Sequence, residues 1–150
     1  MEFDVRTDEI SVKDGFGKDL TVNFYTPDID NRGKFYTDSN GLEMQKRHTK
    51  AQDVSASFFP VTSAIVIRDD ENSMEDGNRD QLTVLTSRVQ GGASLREGLI
   101  EVVHGRRLIY DDRLTKEIVL NDTDLENSLQ SKYYVQIFDR KFEESHQRVY

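Results

Sequence analysis

The sequence lacks cysteine altogether, and this absence removes several classes of chemistry at once. The chain cannot form a disulfide framework, a thiolate metal site or a cysteine nucleophile, and its composition leaves the redox compartment open. Long apolar runs are missing too, because no stretch of about eighteen apolar residues exists that could cross a membrane as a helix. The segment Met1–Asp4 has neither a basic start nor a following apolar stretch, so we expect no signal peptide there.

Positive charge is also scarce. The chain has 20 lysine and arginine residues against 28 acidic residues, which gives a formal net charge of -8. Nucleic acids and anionic membrane surfaces would repel such a chain at long range, so we expect neither as a partner. A length of 150 residues fits one domain. We predict a single domain over residues 1–138, followed by a charged tail or truncation point at residues 139–150.

Short apolar runs that alternate with polar residues predict strands over most of the chain. Turn signals separate the runs, and no stretch shows the period of a long helix. We therefore predict about eight to ten strands in an all-β, antiparallel β-sandwich. The clearest candidates are Phe3–Val5, Ile10–Val12, Leu20–Phe24, Ala64–Ile67, Gln81–Thr86, Leu99–Val103 and Lys132–Phe138.

A β-hairpin is predicted over Phe35–Lys46. Asn40-Gly41 lies between two alternating runs, and both residues tolerate the positive φ that a tight hairpin turn requires. For this block, a role in ordering the sheet is favoured over direct substrate binding.

An acidic stretch, Asp69–Asp80, follows the predicted strand Ala64–Ile67. Clustered carboxylates suit calcium, but the spacing of a calcium-binding loop cannot be fitted here. A solvated hairpin loop is the favoured interpretation.

The stretch from Gln81 to Asp112 carries the most specific pattern. Two apolar, β-rich runs, Gln81–Thr86 and Leu99–Val103, flank QGGASL (Gln90–Leu95), whose glycine pair predicts a loop. The segment RRL (Arg106–Leu108) and then an Asp pair follow. Two further blocks precede this stretch: FYTDSNG (Phe35–Gly41) and FFPV (Phe58–Val61).

This ordered set of motifs resembles the C-terminal β region of glycoside hydrolase family 38, in particular its lysosomal-type α-mannosidases. Three blocks in the same order over roughly half the chain are far more specific than a lone glycine pair. The resemblance implies a fragment of a C-terminal β-sandwich, part of a galactose-mutarotase-like supersandwich. It also implies a lysosomal, vacuolar or secretory location.

Family 38 enzymes are retaining α-mannosidases that use zinc and an Asp nucleophile in an N-terminal catalytic part. None of those motifs is present here, so we expect no catalytic residue, no metal ligand and no cofactor in this chain. The resemblance places the zinc in the complete enzyme's catalytic domain. It also implies two partners, that N-terminal catalytic portion and a mannose-containing glycan.

The resemblance assigns a wall-forming and sugar-contacting role in the substrate cleft to Arg106, Arg107, Asp111 and Asp112. Two alternatives stay open: an arginine could tie the loop to the catalytic domain, or Arg107 could pair with Asp111 or Asp112 inside the hairpin. Asp111 and Asp112 cannot easily flank one glycosidic bond, because neighbours on a strand point to opposite faces.

Other residues give weaker indications. Asn121 begins a glycosylation sequon, a pattern that often occurs by chance. His48, His104 and His146 are scattered without the spacing of metal ligands, and surface or strand positions are the favoured interpretation for them.

An alternative function is an independent carbohydrate-binding or interaction module without catalysis. That function requires exposed aromatic rings on a concave surface, with Tyr110, Tyr133 and Tyr134 as candidates. A β domain of a mannosidase should instead carry an exposed apolar patch where the catalytic part packs.

Overall fold

Residues 1–50, 52–69, 80–109 and 128–139 are described by a computed structural model of the chain. This part contains ten strands and one short 3-10 turn, Ser55–Ser57, and every paired strand is antiparallel to its neighbour. The strands are β1 (Glu2–Thr7), β2 (Lys18–Tyr25), β3 (Lys34–Ser39), β4 (Glu43–His48), β5 (Phe59–Val61), β6 (Ala64–Arg68), β7 (Asp80–Thr86), β8 (Gln90–Ala93), β9 (Leu99–Arg107) and β10 (Leu129–Asp139).

The strands form two sheets that face each other across one core. A six-stranded sheet has the order β1-β10-β7-β6-β3-β4, and a four-stranded sheet has the order β2-β9-β8-β5. Alternate side chains of both sheets point inward, as the period of a strand requires. The prediction of an all-β, antiparallel sandwich is confirmed. The core side chains are Ile29, Phe35, Val61, Ile65, Ile67, Leu82, Val84, Ile100, Val102, Tyr133 and Val135.

The hairpin predicted around Asn40-Gly41 is confirmed by β3 and β4. Asn40 has φ 53° and Gly41 has φ 69°, so both turn residues adopt the left-handed conformation. The apolar run in β6 lies between β7 and β3, and Ala64–Ile67 are all buried, as expected for a central strand.

The glycine pair does not form the predicted loop. Gln90–Ala93 is strand β8, which lies between β9 and β5, and neither Gly91 nor Gly92 has a positive φ. A Cβ atom on Gly92 would lie 2.6 Å from Val61 Cγ2, because the core packs directly against its backbone. Here glycine permits close packing instead of a turn.

The strand predicted at Ile10–Val12 was wrong, whereas β6 and β7 pair as the hairpin expected on either side of the acidic stretch, with a correction at its first residue. Ile10–Val12 is irregular, although Ile10 is buried, and the Ile10 carbonyl accepts a hydrogen bond from Arg107 Nη1 at 2.5 Å. The start of the acidic stretch is not solvated, since Asp69 is buried and its carboxylate accepts hydrogen bonds from the Asp30 and Asp80 amides, both at 2.8 Å. Residues 70–79 lie outside the described residues.

Candidate functional site

A cleft of about 980 Å³ lies on the outer face of the four-stranded sheet. Thr21 on β2 and Val103 on β9 pair with each other and line it, while the next residues, Val22 and Val102, pack into the core. We call this feature the outer cleft. It combines apolar and charged side chains, so it can accommodate a ligand or a polypeptide that has both kinds of group.

A β-bulge decides which side chains of β9 face the outer cleft. Thr21 pairs with Val103 and Leu20 pairs with Gly105, so His104 is an extra residue on β9. One extra residue shifts the alternation of side chains along the rest of a strand. Arg106, three residues after Val103, therefore lines the outer cleft.

Arg106 and Asp19 form a two-pronged ion pair in the outer cleft. Arg106 Nε donates to Asp19 Oδ1 at 2.6 Å, and Nη2 donates to Oδ2 at 2.7 Å. Both side chains are partly exposed, so the pair contributes little to folding stability, on the order of 0–1 kcal/mol. Its fork geometry nevertheless fixes the direction of the guanidinium.

Arg107 lies away from the outer cleft. Its Nη1 donates to Glu9 Oε1 at 2.8 Å and to the Ile10 carbonyl, which ties the end of β9 to the segment before β2. The structure thus separates two arginines that the sequence analysis treated together. Asp111, Asp112 and Asn121 lie outside the described residues, so their predicted roles stay predictions.

Arg88, between β7 and β8, also lines the outer cleft and was missed by the sequence analysis. Its Nε donates to Ser131 Oγ at 2.8 Å, and its Nη2 donates to the His104 carbonyl. These partners come from β10 and β9, which no local sequence pattern connects to Arg88. Asp19 was missed for the same reason, because only the pairing of β2 with β9 places it beside Arg106.

A buried polar cluster lies on the core side of the same strands. Tyr133 OH accepts a hydrogen bond from Gln90 Nε2 at 3.0 Å and lies 3.2 Å from His104 Nδ1. Burial, together with the nearby Arg88 guanidinium, lowers the pKa of His104, and a smaller opposing contribution comes from the Leu129 backbone. His104 is a buried residue of β9. Because its pKa is lowered, its uncharged form is favoured in the core.

The described residues contain no cluster of three or more metal-binding side chains. In the same ranges, no helix is long and apolar enough to cross a membrane.

Comparison with known families identifies the chain. The model for the glycosyl hydrolases family 38 C-terminal domain matches residues 2–114. The chain belongs to family 38. The match includes all of β1–β9 and both arginines of the RRL segment, so the resemblance found in the sequence is confirmed.

Several lysosomal α-mannosidases are similar to this family 38 chain. The enzyme of Felis catus is 40% identical over 132 residues, which cover 81% of this chain and 12% of the relative. The Homo sapiens enzyme is 39% identical over 121 residues, which cover 75% of this chain and 11% of the relative. The Dictyostelium discoideum enzyme is 35% identical over 112 residues, which cover 69% of this chain and 10% of the relative. The chain spans roughly one tenth of the length of these curated relatives, whose names agree with the expected lysosomal or vacuolar location.

The family-like QGGASL segment proves to be structural in this chain. Ser94 Oγ accepts a hydrogen bond from Asn31 Nδ2 at 3.0 Å, and Asn31 Oδ1 accepts one from the Gly98 amide at 2.9 Å. These buried bonds join the β2–β3 and β8–β9 connections. Gln90 and Gly92 serve the core as described above, so the motif sets the shape of the sheet beneath the outer cleft.

Proposed function

We propose that this chain is the noncatalytic C-terminal β domain of a zinc-dependent, retaining α-mannosidase. The complete enzyme hydrolyses terminal α-D-mannose from glycans. In this proposal the chain supports the catalytic portion and lines the substrate cleft, while zinc and the nucleophile belong to the part outside this chain. The described residues bring no metal-binding cluster together.

The observation that carries the proposal is the position of Arg106. The bulge in β9 directs this arginine of the RRL segment into the outer cleft, and Asp19 holds its guanidinium in a fixed direction. A guanidinium can donate to the hydroxyl groups of a sugar, and a preset direction lowers the entropy lost on binding. Within the pair, Arg106 contacts the glycan and Asp19 positions Arg106.

An apolar groove supports the packing part of the proposal. It has a volume of about 320 Å³ and opens between β1 and β2, each of which forms one edge of its sheet. Phe3 is 42% exposed and Ile137 is 59% exposed at its rim. An exposed apolar patch of this kind typically marks an interaction surface. We assign it to packing against the catalytic portion.

The alternative, an independent carbohydrate-binding module, has less support. Tyr133 is fully buried in the core and cannot stack on a sugar, whereas Tyr134 is 41% exposed on β10. Tyr110 lies outside the described residues. Neither of these two tyrosines lines the outer cleft, where the half-buried ring of Phe58 is the described aromatic side chain.

A first experiment measures hydrolysis of a chromogenic α-mannoside by the purified chain, with and without Zn²⁺. We expect no turnover in either condition, while a full-length lysosomal α-mannosidase assayed in parallel is active. Zinc-dependent turnover that remains with the chain through further purification would show that the chain itself is catalytic and would contradict the proposal.

A second experiment tests the role of Arg106 in an active enzyme. A chimera carries this chain in place of the matching stretch of the Felis catus enzyme, and its kcat/KM is compared with that of Arg106→Ala and Asp19→Asn variants. We expect losses of at least about tenfold for Arg106→Ala and smaller losses for Asp19→Asn. Arg6→Ala, at an exposed pair outside the cleft, is the control. Equal activity of the chimera and its Arg106→Ala variant would exclude the sugar-contacting role.

A further inference from the structure

Arg88 differs from every other arginine in the described part of the chain. Four of the others pair with carboxylates, and three lie over aromatic rings. Among the described residues, Arg88 has neither kind of partner, although it is half-buried. The paired arginines are Arg6, Arg32, Arg106 and Arg107, and the stacked ones are Arg47, Arg68 and Arg96.

The side chain of Arg88 is nevertheless held in place. Ser131 Oγ accepts from Nε at 2.8 Å, and the His104 carbonyl accepts from Nη2. A guanidinium has five N–H donors, so these two bonds leave Nη1 and one hydrogen of Nη2 for another partner. No described residue accepts from Nη1, and Arg88 lines the outer cleft. The arginine is therefore oriented beside the outer cleft, with donors that no described residue uses.

Among the described residues, no acid forms an ion pair with Arg88. Asp53 and Glu101 line the same cleft, but neither forms an ion pair with Arg88, and Asp19 is bound by Arg106. The Arg88 charge also acts on the core, where it adds to the effect of burial in lowering the pKa of His104. A half-buried cation without a counter-charge favours binding of an anion, because part of its desolvation cost is already incurred on folding.

We propose that Arg88 anchors an oxyanion-binding site in the outer cleft, which takes the carboxylate or phosphate group of a small ligand. The anion accepts hydrogen bonds from Nη1 and from the second hydrogen of Nη2. Charge-assisted bonds of this kind are roughly twice as strong as neutral ones. Val89, exposed beside Arg88 at the rim of the cleft, offers an apolar contact for the rest of the ligand.

The test uses the ¹⁵N-labelled 150-residue chain and two probes, acetate and inorganic phosphate, at constant ionic strength balanced with chloride. Amide signals of Val89 and Gln90 and the Nε–H signal of Arg88 are followed in two-dimensional NMR spectra. We expect saturable shifts with at least one probe, and the comparison of the two probes shows which group the site prefers. Arg88→Gln should weaken this binding by at least about tenfold.

Arg6→Gln is the matched control, because it removes the same charge from an exposed pair outside the cleft. We expect it to bind both probes as the unchanged chain does. Should Arg88→Gln fail to fold, Arg88→Lys keeps the charge but loses the fork and should still weaken binding at least about threefold. Shifts that never saturate, or that persist unchanged in a folded Arg88 variant, would overturn the proposal.

Discussion

The carboxylate of Asp38 accepts a hydrogen bond from the backbone amide of Ala64 at 3.0 Å, which ties the β3–β4 hairpin to the start of β6. The same Oδ1 atom accepts from the amides of Thr62 and Ser63, both at 2.9 Å. Oδ2 accepts from the Gly41 amide and from Ser63 Oγ, again at 2.9 Å. One 5% exposed side chain therefore organises two turns, which supports an ordering role for the FYTDSNG block.

Replacing Asp38 by Ala should destabilise the fold strongly. The substitution removes the acceptor for backbone amides that the protein has already shielded from water, and each such donor left unpaired costs about 1–3 kcal/mol. We expect the free energy of unfolding, measured with urea, to fall by about 2–4 kcal/mol in total, because solvent reaches some of these groups. Asp53→Ala, at an exposed acid, is the control. A loss below about 1 kcal/mol would show that the network is dispensable.

The contribution of Asp38 should depend on pH in a definite direction. Burial alone would raise the pKa of Asp38, but the hydrogen bonds from the Ser63 and Ala64 amides and from the Ser63 hydroxyl together lower it below 3.8. A lowered pKa in the folded state means that the stabilisation is complete above pH 3.8 and is lost as pH falls through the folded value.

This direction can be checked with the Asp38→Asn variant, which cannot ionise. The difference in unfolding free energy between the unchanged chain and the variant should be constant between about pH 7 and 5 and should shrink towards about pH 3. A difference that stays constant down to the lowest pH would mean that ionisation of Asp38 does not stabilise the fold.

Gly98→Ala should be far more damaging than Gly15→Ala. Both glycines have positive φ, at +70° and +80°, so alanine meets similar backbone strain at each. A Cβ atom on Gly98 would also lie 1.9 Å from the Thr26 carbonyl oxygen, whereas one on Gly15 has no atom within 4 Å. Thermal unfolding should show a modest decrease in midpoint for Gly15→Ala and a severe one for Gly98→Ala. Equal decreases would mean that the loop at Gly98 can move aside.

The glycine pair in β8 offers a second matched comparison. A Cβ on Gly92 would meet Val61 at 2.6 Å and Ile65 at 2.9 Å, whereas one on Gly91 finds its nearest neighbour, Val103, at 3.6 Å. We expect Gly92→Ala to lower the unfolding free energy by about 1–3 kcal/mol through overpacking. Gly91→Ala should change it by less than about 0.5 kcal/mol. Equal effects in urea unfolding would argue against close packing as the reason for glycine.

The sequence allowed the fold and the family to be predicted because both depend on local or ordered signals. A continuous apolar run marked β6, alternation marked β10, and Asn40-Gly41 marked its own turn. The glycine pair was misread because glycine serves turns and close packing equally well, and the neighbour that distinguishes them, Val61, lies on another strand. Partners such as Asp19 and Arg106, 87 residues apart, become neighbours only through strand pairing that no short window of sequence contains.

The extra residue in β9 affects how the outer cleft can change when the sequence gains or loses a residue. Strict alternation from Val103 would direct Arg107, not Arg106, to the cleft side of the sheet. A deletion that removed the bulge would therefore exchange one guanidinium for another at this position. Two arginines in succession make the charge of the cleft tolerant of a one-residue slip, so this end of β9 can vary in register without losing its cation.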